Sequence, residues 1–180
     1  MLRILGTRLA RAYGTVPTPR QWVEVVFLFG IFTAAALPVG LASGLLTLSP
    51  AREDAGALVA FAAVALAVPC LFEETLFRAA LLPHPRERCP GPWLALSVLA
   101  AVALFVLGHP LVAWLLAPAT RPLAYHPVFL GLCTVFGVLA SAAYLRTGSI
   151  WPSALMHWAV VVGWKIWFGG WILAFGPPGP

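Results

Sequence analysis

Apolar runs of about 20 residues alternate with short polar joints along the whole chain, and a run of that length predicts a membrane-crossing helix. The first extends from about Trp22 to Leu48, opening after Pro19-Arg20-Gln21 and closing before Ser49-Pro50. Within it, Gly40 and Gly44 are expected to admit a close neighbouring helix. Ala51-Arg52-Glu53-Asp54 leads into a second run, Gly56 to Leu82. His84 to Pro92, rich in proline and charge, reads as a surface loop. The third run starts near Trp93 and continues toward Ala117, with Pro110 placed to bend it or to end it at His109. After the loop Pro118 to Pro127, a fourth run covers Val128 to Leu145, and a fifth covers Ile150 to about Phe175. The tail Gly-Pro-Pro-Gly-Pro is too short to fold. Five such helices and short loops exhaust the chain, so the expected fold is all-α: one polytopic membrane helix bundle forming a single domain over residues 1–180.

The segment before the first run has another pattern. Helical spacing groups Leu2, Leu5, Leu9 and Tyr13 opposite Arg3, Arg8 and Arg11, with Ile4 as the exception, which predicts an interfacial amphipathic helix. Arg8 and Arg11 interrupt any apolar core, so a signal peptide is not expected. Composition agrees with the membrane reading: 61% of residues are hydrophobic, 9% are charged and the mean hydropathy is +0.92. The net charge of +5 is unevenly placed. With the N-terminus cytoplasmic, that side holds Arg3, Arg8, Arg11, Arg20, Arg86, Arg88 and Arg146, against Arg52 and Arg121 outside, the bias expected of inner-membrane proteins. The charge thus speaks for the lipid bilayer as a partner and not for nucleic acid. Cys70, Cys89 and Cys133 lack metal-ligand or redox spacing, and Cys70 and Cys133 read as packing residues.

Few polar groups remain inside the runs: Glu73, Glu74, Arg78, His109, His157 and Lys165. A charged residue near a span centre costs about 2.5–3.5 kcal/mol on insertion scales, so each asks for a partner or a function. Glu74 and Arg78 stand four apart in the favourable order, acid before base, and are expected to pair. Glu73 points about 100° away on a helix and has no such local partner, which suits a desolvated general base. His109 and His157, on two other runs, complete a convergent set. Their depths do not match at first sight: at 1.5 Å per residue Glu73 lies about 13 Å from the inner end of its run and His109 about 25 Å from the start of its own. His84 and His126 fall in proline-flanked loops and read as ordinary loop residues.

Glu-Glu-x-x-x-Arg at Glu73, Glu74 and Arg78, Phe-x-x-x-His at Phe105 and His109, and His157 following Gly-Ser-Ile-Trp-Pro-Ser resemble, in order and spacing, the CPBP family of CAAX proteases and bacteriocin-processing enzymes. The likeness covers about Phe72 to Val161. It implies a glutamic-type intramembrane endopeptidase in which Glu73 activates a water, His109 holds that water and His157 donates to the oxyanion, with Glu74 and Arg78 bracing the span. The family usually carries Asn four residues after the last histidine; that position is Val161 here, and the chain has no Asn. Loss of one oxyanion donor costs about 2.7–4 kcal/mol where enzymes depend on it. Ser153, one turn before His157, is the first candidate substitute, followed by the Trp158 indole, Lys165 or a backbone amide; the plainer alternatives are a Ser153 hydroxyl bonded to its own helix and a Lys165 snorkelling to the outer interface.

The resemblance implies a membrane-anchored or C-terminally tailed protein substrate, CAAX-like or bearing a sorting signal as in the small bacterial myxosortases, and a place in the bacterial cytoplasmic membrane. No cofactor is expected; a metal-dependent variant using glutamate and histidine ligands remains open, without a His-Glu-x-x-His motif behind it. A non-catalytic membrane interaction or bacteriocin-immunity protein is the alternative. A proton or ion carrier fits less well, because no inverted repeat is discernible.

Overall fold

In the computed structural model, which describes residues 2–170, the chain is a bundle of helices without β-strands among those residues. Helix α1 is Leu2–Gly14 and α2 is Pro19–Ala42. Thr18 starts α2 with a reciprocal cap: its hydroxyl accepts from Gln21 N while Gln21 Oε1 accepts from Thr18 N. The second apolar run folds in pieces: α3 (Ala55–Ala65, capped by Asp54), a π turn (Leu66–Leu71), the short α4 (Phe72–Glu74) and a second π turn (Thr75–Ala80). Then come α5 (Gly91–Leu115), a 3₁₀ turn (Pro118–Thr120), α6 (Arg121–Ala124), α7 (Pro127–Thr147) and α8 (Ile150–Trp167).

Four stretches are long and apolar enough to cross a membrane: Pro19–Ala42, Ala55–Ala80, Gly91–Leu115 and Pro127–Thr147, with mean hydropathies of 2.1 to 2.4. No more than 33% of the most apolar part of each is buried within the protein, which leaves the remainder for lipid. The expected fifth span is α8, which is not one of these four: Pro152, Ser153, His157 and Lys165 make it more polar, and it ends at Trp167. Residues 171–175 of that expected span and the 176–180 tail lie outside the described residues.

Contacts between distant segments sort the helix ends into two groups. At one end, Gln21 Nε2 donates to Arg146 O at 2.8 Å, Arg8 pairs with Glu87 at 2.7 Å and Trp151 Nε1 donates to Tyr13 O at 3.1 Å. At the other, Ala51 N donates to Ile166 O at 2.8 Å and Thr47 N to Phe168 O at 3.3 Å. The helices therefore run alternately up and down, and the seven arginines at 3, 8, 11, 20, 86, 88 and 146 belong to segments of the first end. The core between them is built by Val25, Phe32 and Ala36 of α2, Phe105 of α5, Phe136 and Ala140 of α7 and Met156 of α8. Cys70 and Cys133 are buried free thiols, as packing residues should be.

Several expectations change. Helix α2 stops at Ala42, and Gly40 and Gly44 serve a turn, not a helix contact: Leu46 folds back to donate to Gly40 O at 2.9 Å, and Gly44 has φ +74°. The second run is not one straight helix, since Val68 leaves helical geometry (φ −136°, ψ 119°) before Pro69 and the Val68–Pro69 bond is cis. Pro110 does not end the third helix, which continues to Leu115. The amphipathic α1 is present, but Arg8 turns toward the bundle, donating to Glu87 and to Ala80 O, while Ala12 is fully buried and Tyr13 remains 39% exposed. The joint after the second run is only partly a surface loop, because Leu82 and His84 are buried. This explains the depth mismatch between Glu73 and His109: the chain stays within the protein beyond Ala80 before it turns into α5.

Candidate active site

The two glutamates occupy the single α-helical turn α4 between two π turns. Extra residues in a helical ladder change the direction in which successive side chains point, and such bulges recur at functional sites. Glu74 is fully buried. Its Oε2 lies 3.1 Å from Arg78 Nε, out of line for a hydrogen bond, so that contact is an ion pair. Oε1 accepts from His157 Nδ1 at 3.1 Å, and the Ser153 hydroxyl lies in reach of the same carboxylate. The Glu74–Arg78 pair was expected; the Glu74–His157 bond was not. A carboxylate can only accept, so Nδ1 of His157 carries the proton and the opposite nitrogen, Nε2, is left for other work.

Arg78 is buried too, at 1% exposure, and a lone guanidinium could not stay there. Besides Glu74 it has Gly137 O of α7, to which Nη2 donates at 3.3 Å, and the Phe105 ring, whose centroid lies 4.7 Å from Cζ. Gly137 allows this closeness. A Cβ there would sit 3.3 Å from Val102 Cγ1 and 3.5 Å from Phe105 Cδ1, so any larger residue would push α5 and α7 apart.

Glu73 is in a different state. Its Oε2 is buried and has no hydrogen-bond partner among the described residues. The cluster draws on three separate elements: His109 of α5 and His157 of α8 both meet the Phe105 ring, His157 bonds Glu74, and Glu73 adjoins Glu74 on α4. His109 is oriented by its own helix. Pro110 has no N–H to offer Val106 O, and the imidazole reaches back to that freed carbonyl and to Phe105 O, with Nδ1 2.9 Å from the latter. Since carbonyls only accept, Nδ1 is the protonated nitrogen and Nε2 faces away with its lone pair.

Phe105 is the hub of the cluster. Its ring meets His109 at 5.0 Å, His157 at 5.8 Å and Phe77 at 5.5 Å between centroids, all edge to face. Phe136 at 5.0 Å from the His157 ring and Phe129 at 5.2 Å from His109 complete an aromatic wall that holds both imidazoles. Phe129, Phe136 and Gly137 were not nominated from the sequence. They lie in the fourth apolar run, where nothing polar singles them out.

The named substitutes for the missing Asn have other duties. Ser153 is fully buried and donates to Ile150 O at 3.0 Å, the bond back to its own helix. Trp158 Nε1 donates to Ala62 O at 2.7 Å, and Lys165 Nζ donates to Gly170 O at 3.0 Å with the Trp164 ring 4.5 Å away. Val161, partly buried, offers only an apolar side chain at the Asn position. His126 forms the N-cap residue of α7 without a side-chain cap bond. Among the described residues no three His, Cys, Asp or Glu side chains form a metal-holding group.

Residues 55–163 match the type II CAAX prenyl endopeptidase Rce1-like family. The chain belongs to that family. It is therefore a membrane protease of the CAAX type, a hydrolase, and the matched stretch begins at α3 and ends in α8, enclosing all the clustered polar groups. No curated protein and no solved structure matches the chain.

Proposed function

We propose that the chain hydrolyses a peptide bond near the C-terminus of a membrane-anchored protein, CAAX-like or bearing a sorting signal, by means of a water activated by Glu73. The observation that carries this reading is the contrast at α4: the Glu74 carboxylate is engaged by Arg78 and His157, whereas Glu73 Oε2 is buried without a partner. An unengaged carboxylate in a low-dielectric site is a competent proton acceptor. Glu73 takes one proton from water while the oxygen attacks the scissile carbonyl. His109, through Nε2, accepts the water's other hydrogen and fixes its direction. The tetrahedral oxyanion is stabilised by a hydrogen bond from a protonated His157 Nε2, the ring being held by Glu74 at Nδ1. Collapse of the intermediate breaks the C–N bond, and the proton on Glu73 passes to the leaving amine.

The test compares C-terminal peptides of membrane and surface proteins by mass spectrometry in cells with the wild-type chain, with Glu73→Ala and without the chain. Shortened termini present only with the wild type support the reading; identical termini in all three cells sink it. A second reading, a non-catalytic membrane interaction or immunity protein, draws support from Val161 and from the engagement of Ser153, Trp158 and Lys165 elsewhere. It requires the phenotype of the chain to survive Glu73→Gln.

A further inference from the structure

A concavity lies apart from the polar centre, between α1 and the 81–90 segment. It encloses about 780 Å³ and is lined by Arg3, Gly6, Thr7 and Arg11 of α1, by Thr15 and Val16 after it, and by Arg86 from the other wall. A second cavity beside it shares Arg3, Thr7 and Arg11 and adds Glu87. The charges there are unbalanced. The acid at hand, Glu87, is taken by Arg8 through bonds of 2.7 to 3.1 Å, and among the described residues no ion pair engages Arg3, Arg11 or Arg86. The backbone of Arg86 is fixed as well, its N–H donating to the buried His84 ring at 3.1 Å, so the two walls are held at a set separation. Three guanidinium groups from two segments thus face one concave volume, an arrangement that suits a phosphate, whose oxygens accept paired N–H bonds.

The level of the groove identifies the source of that phosphate. It is flanked by the end of the Ala55–Ala80 span, the start of Gly91–Leu115 and the start of α2, where apolar helix gives way to charged joints. That is the depth of the lipid headgroups. We propose that this groove binds the headgroup phosphate of an anionic phospholipid through Arg3, Arg11 and Arg86. The helix that carries Arg3 and Arg11 also meets the segment of the glutamates, because Tyr13 OH lies 2.6 Å from Thr75 Oγ1, one residue after Glu74.

The full-length protein, released into a neutral detergent and supplied with equal amounts of phosphatidylglycerol and phosphatidylcholine, is analysed by native mass spectrometry for retained lipid. Wild type is expected to retain phosphatidylglycerol selectively. Each of Arg3→Gln, Arg11→Gln and Arg86→Gln lowers that affinity roughly fivefold, the effect of one basic residue near a charged surface, and the triple variant abolishes the preference. The double variant Arg52→Gln/Arg121→Gln, at the opposite end, leaves it intact. Equal retention of the two lipids by wild type, an equal loss in the far-end variant, or displacement of phosphatidylglycerol by equimolar inorganic phosphate would each overturn the assignment, the last by making the groove a site for soluble anions. Circular dichroism of the variants separates a lost site from a lost fold.

Discussion

The two flanks of the polar centre differ in how their charges are paired, although Glu74 Oε2 and Arg78 Nε and Nη1, like Glu73 Oε2, have no hydrogen-bond partner among the described residues. On one flank, Glu74, Arg78 and His157 are buried and joined in a chain that continues to Gly137 O and to the Phe105 face. On the other, Glu73 is partly exposed, and one of its oxygens is buried without a hydrogen-bond partner on the same side as His109, whose Nδ1 bonds only its own helix. A buried charge that faces its counter-charge is held in place, whereas one without a facing partner needs something else to complete it. Under the proposed function the paired flank holds the geometry, and the unpaired flank is where water and substrate would complete the bonding. Adjacent glutamates in one apolar span meet different surroundings because consecutive helical residues point about 100° apart.

Glutamine at each position in turn tests that division, and the effects should be the largest in the molecule. Glu73→Gln is expected to lower the cleavage rate by about 10²–10⁴-fold, the usual contribution of a general base. Its thermal unfolding in detergent should stay close to wild type. Glu74→Gln should do the reverse in emphasis: removal of the buried partner of Arg78 costs about 3–5 kcal/mol of stability, and activity falls because His157 loses its orientation. Equal destabilisation by the two substitutions would erase the distinction between the flanks. Restoration of stability by Arg78→Met in the Glu74→Gln background would sharpen it, since the isolated charge would be gone.

A smaller effect is expected where the engaged flank meets α7. Gly137→Ala places a methyl group 3.3 Å from Val102 and in contact with Phe105, an overpacking that costs about 1–3 kcal/mol. Because Gly137 O also accepts from Arg78, the substitution should reduce kcat through His157 while leaving KM near wild type. Gly131→Ala in the same helix, where a Cβ meets nothing within 4 Å, is the neutral control. Similar losses at both positions would mean that helix flexibility, not close approach, is what Gly137 supplies.

Much of this was legible in the residues because charge inside an apolar run demands an explanation. The all-α membrane fold followed from the apolar runs, and the Glu74–Arg78 pair and the family from Glu73 to Arg78, Phe105, His109 and His157. What stayed hidden was set by packing. Phe136 and Gly137 look like any apolar pair in a span, and only the approach of α5 to α7 gives them a role. The His157–Glu74 bond depends on where α8 sits against α4, which no spacing within either segment encodes. The break at Val68 before Pro69 was not foreseen, and a proline inside a membrane helix does not tell by itself whether the helix bends, breaks or continues; at Pro110 the same residue type leaves the helix running.

His84 carries the smallest expected effect, at the end of the bundle where the joints are tied together. It reads as a plain loop histidine, but its ring is buried, with Nε2 donating to Gly148 O at 3.1 Å and Nδ1 accepting from Arg86 N. Gly148 ends α7 in the left-handed conformation, φ +67°, and a Cβ there would stand 3.1 Å from the His84 nitrogen, so ring and turn fit only as His and Gly. The bond from Arg86 N needs the neutral ring, whereas Nε2 donates to Gly148 O in either state, and His84→Ala should cost about 1–2 kcal/mol near pH 7.5. Burial pushes the His84 imidazole below its ordinary value, with the bond to Gly148 O opposing that shift and Arg11 and Arg86 adding to it. The unfolded chain takes up this proton near pH 6.5, before the folded one does, so the stability is fully present above that pH and declines as pH falls toward the folded value. Glu87 acts in a lower window: the bond from Arg8 holds its carboxyl below the ordinary range, so its contribution is present above that range and is lost as pH falls through the folded value. Thermal unfolding followed from pH 8 down to about pH 2.5, past the ordinary carboxylate range, should therefore show two descending steps, the upper one absent in His84→Gln and the lower one absent in Glu87→Gln. An upper step that persists in His84→Gln would assign it to another group and leave His84 as packing alone.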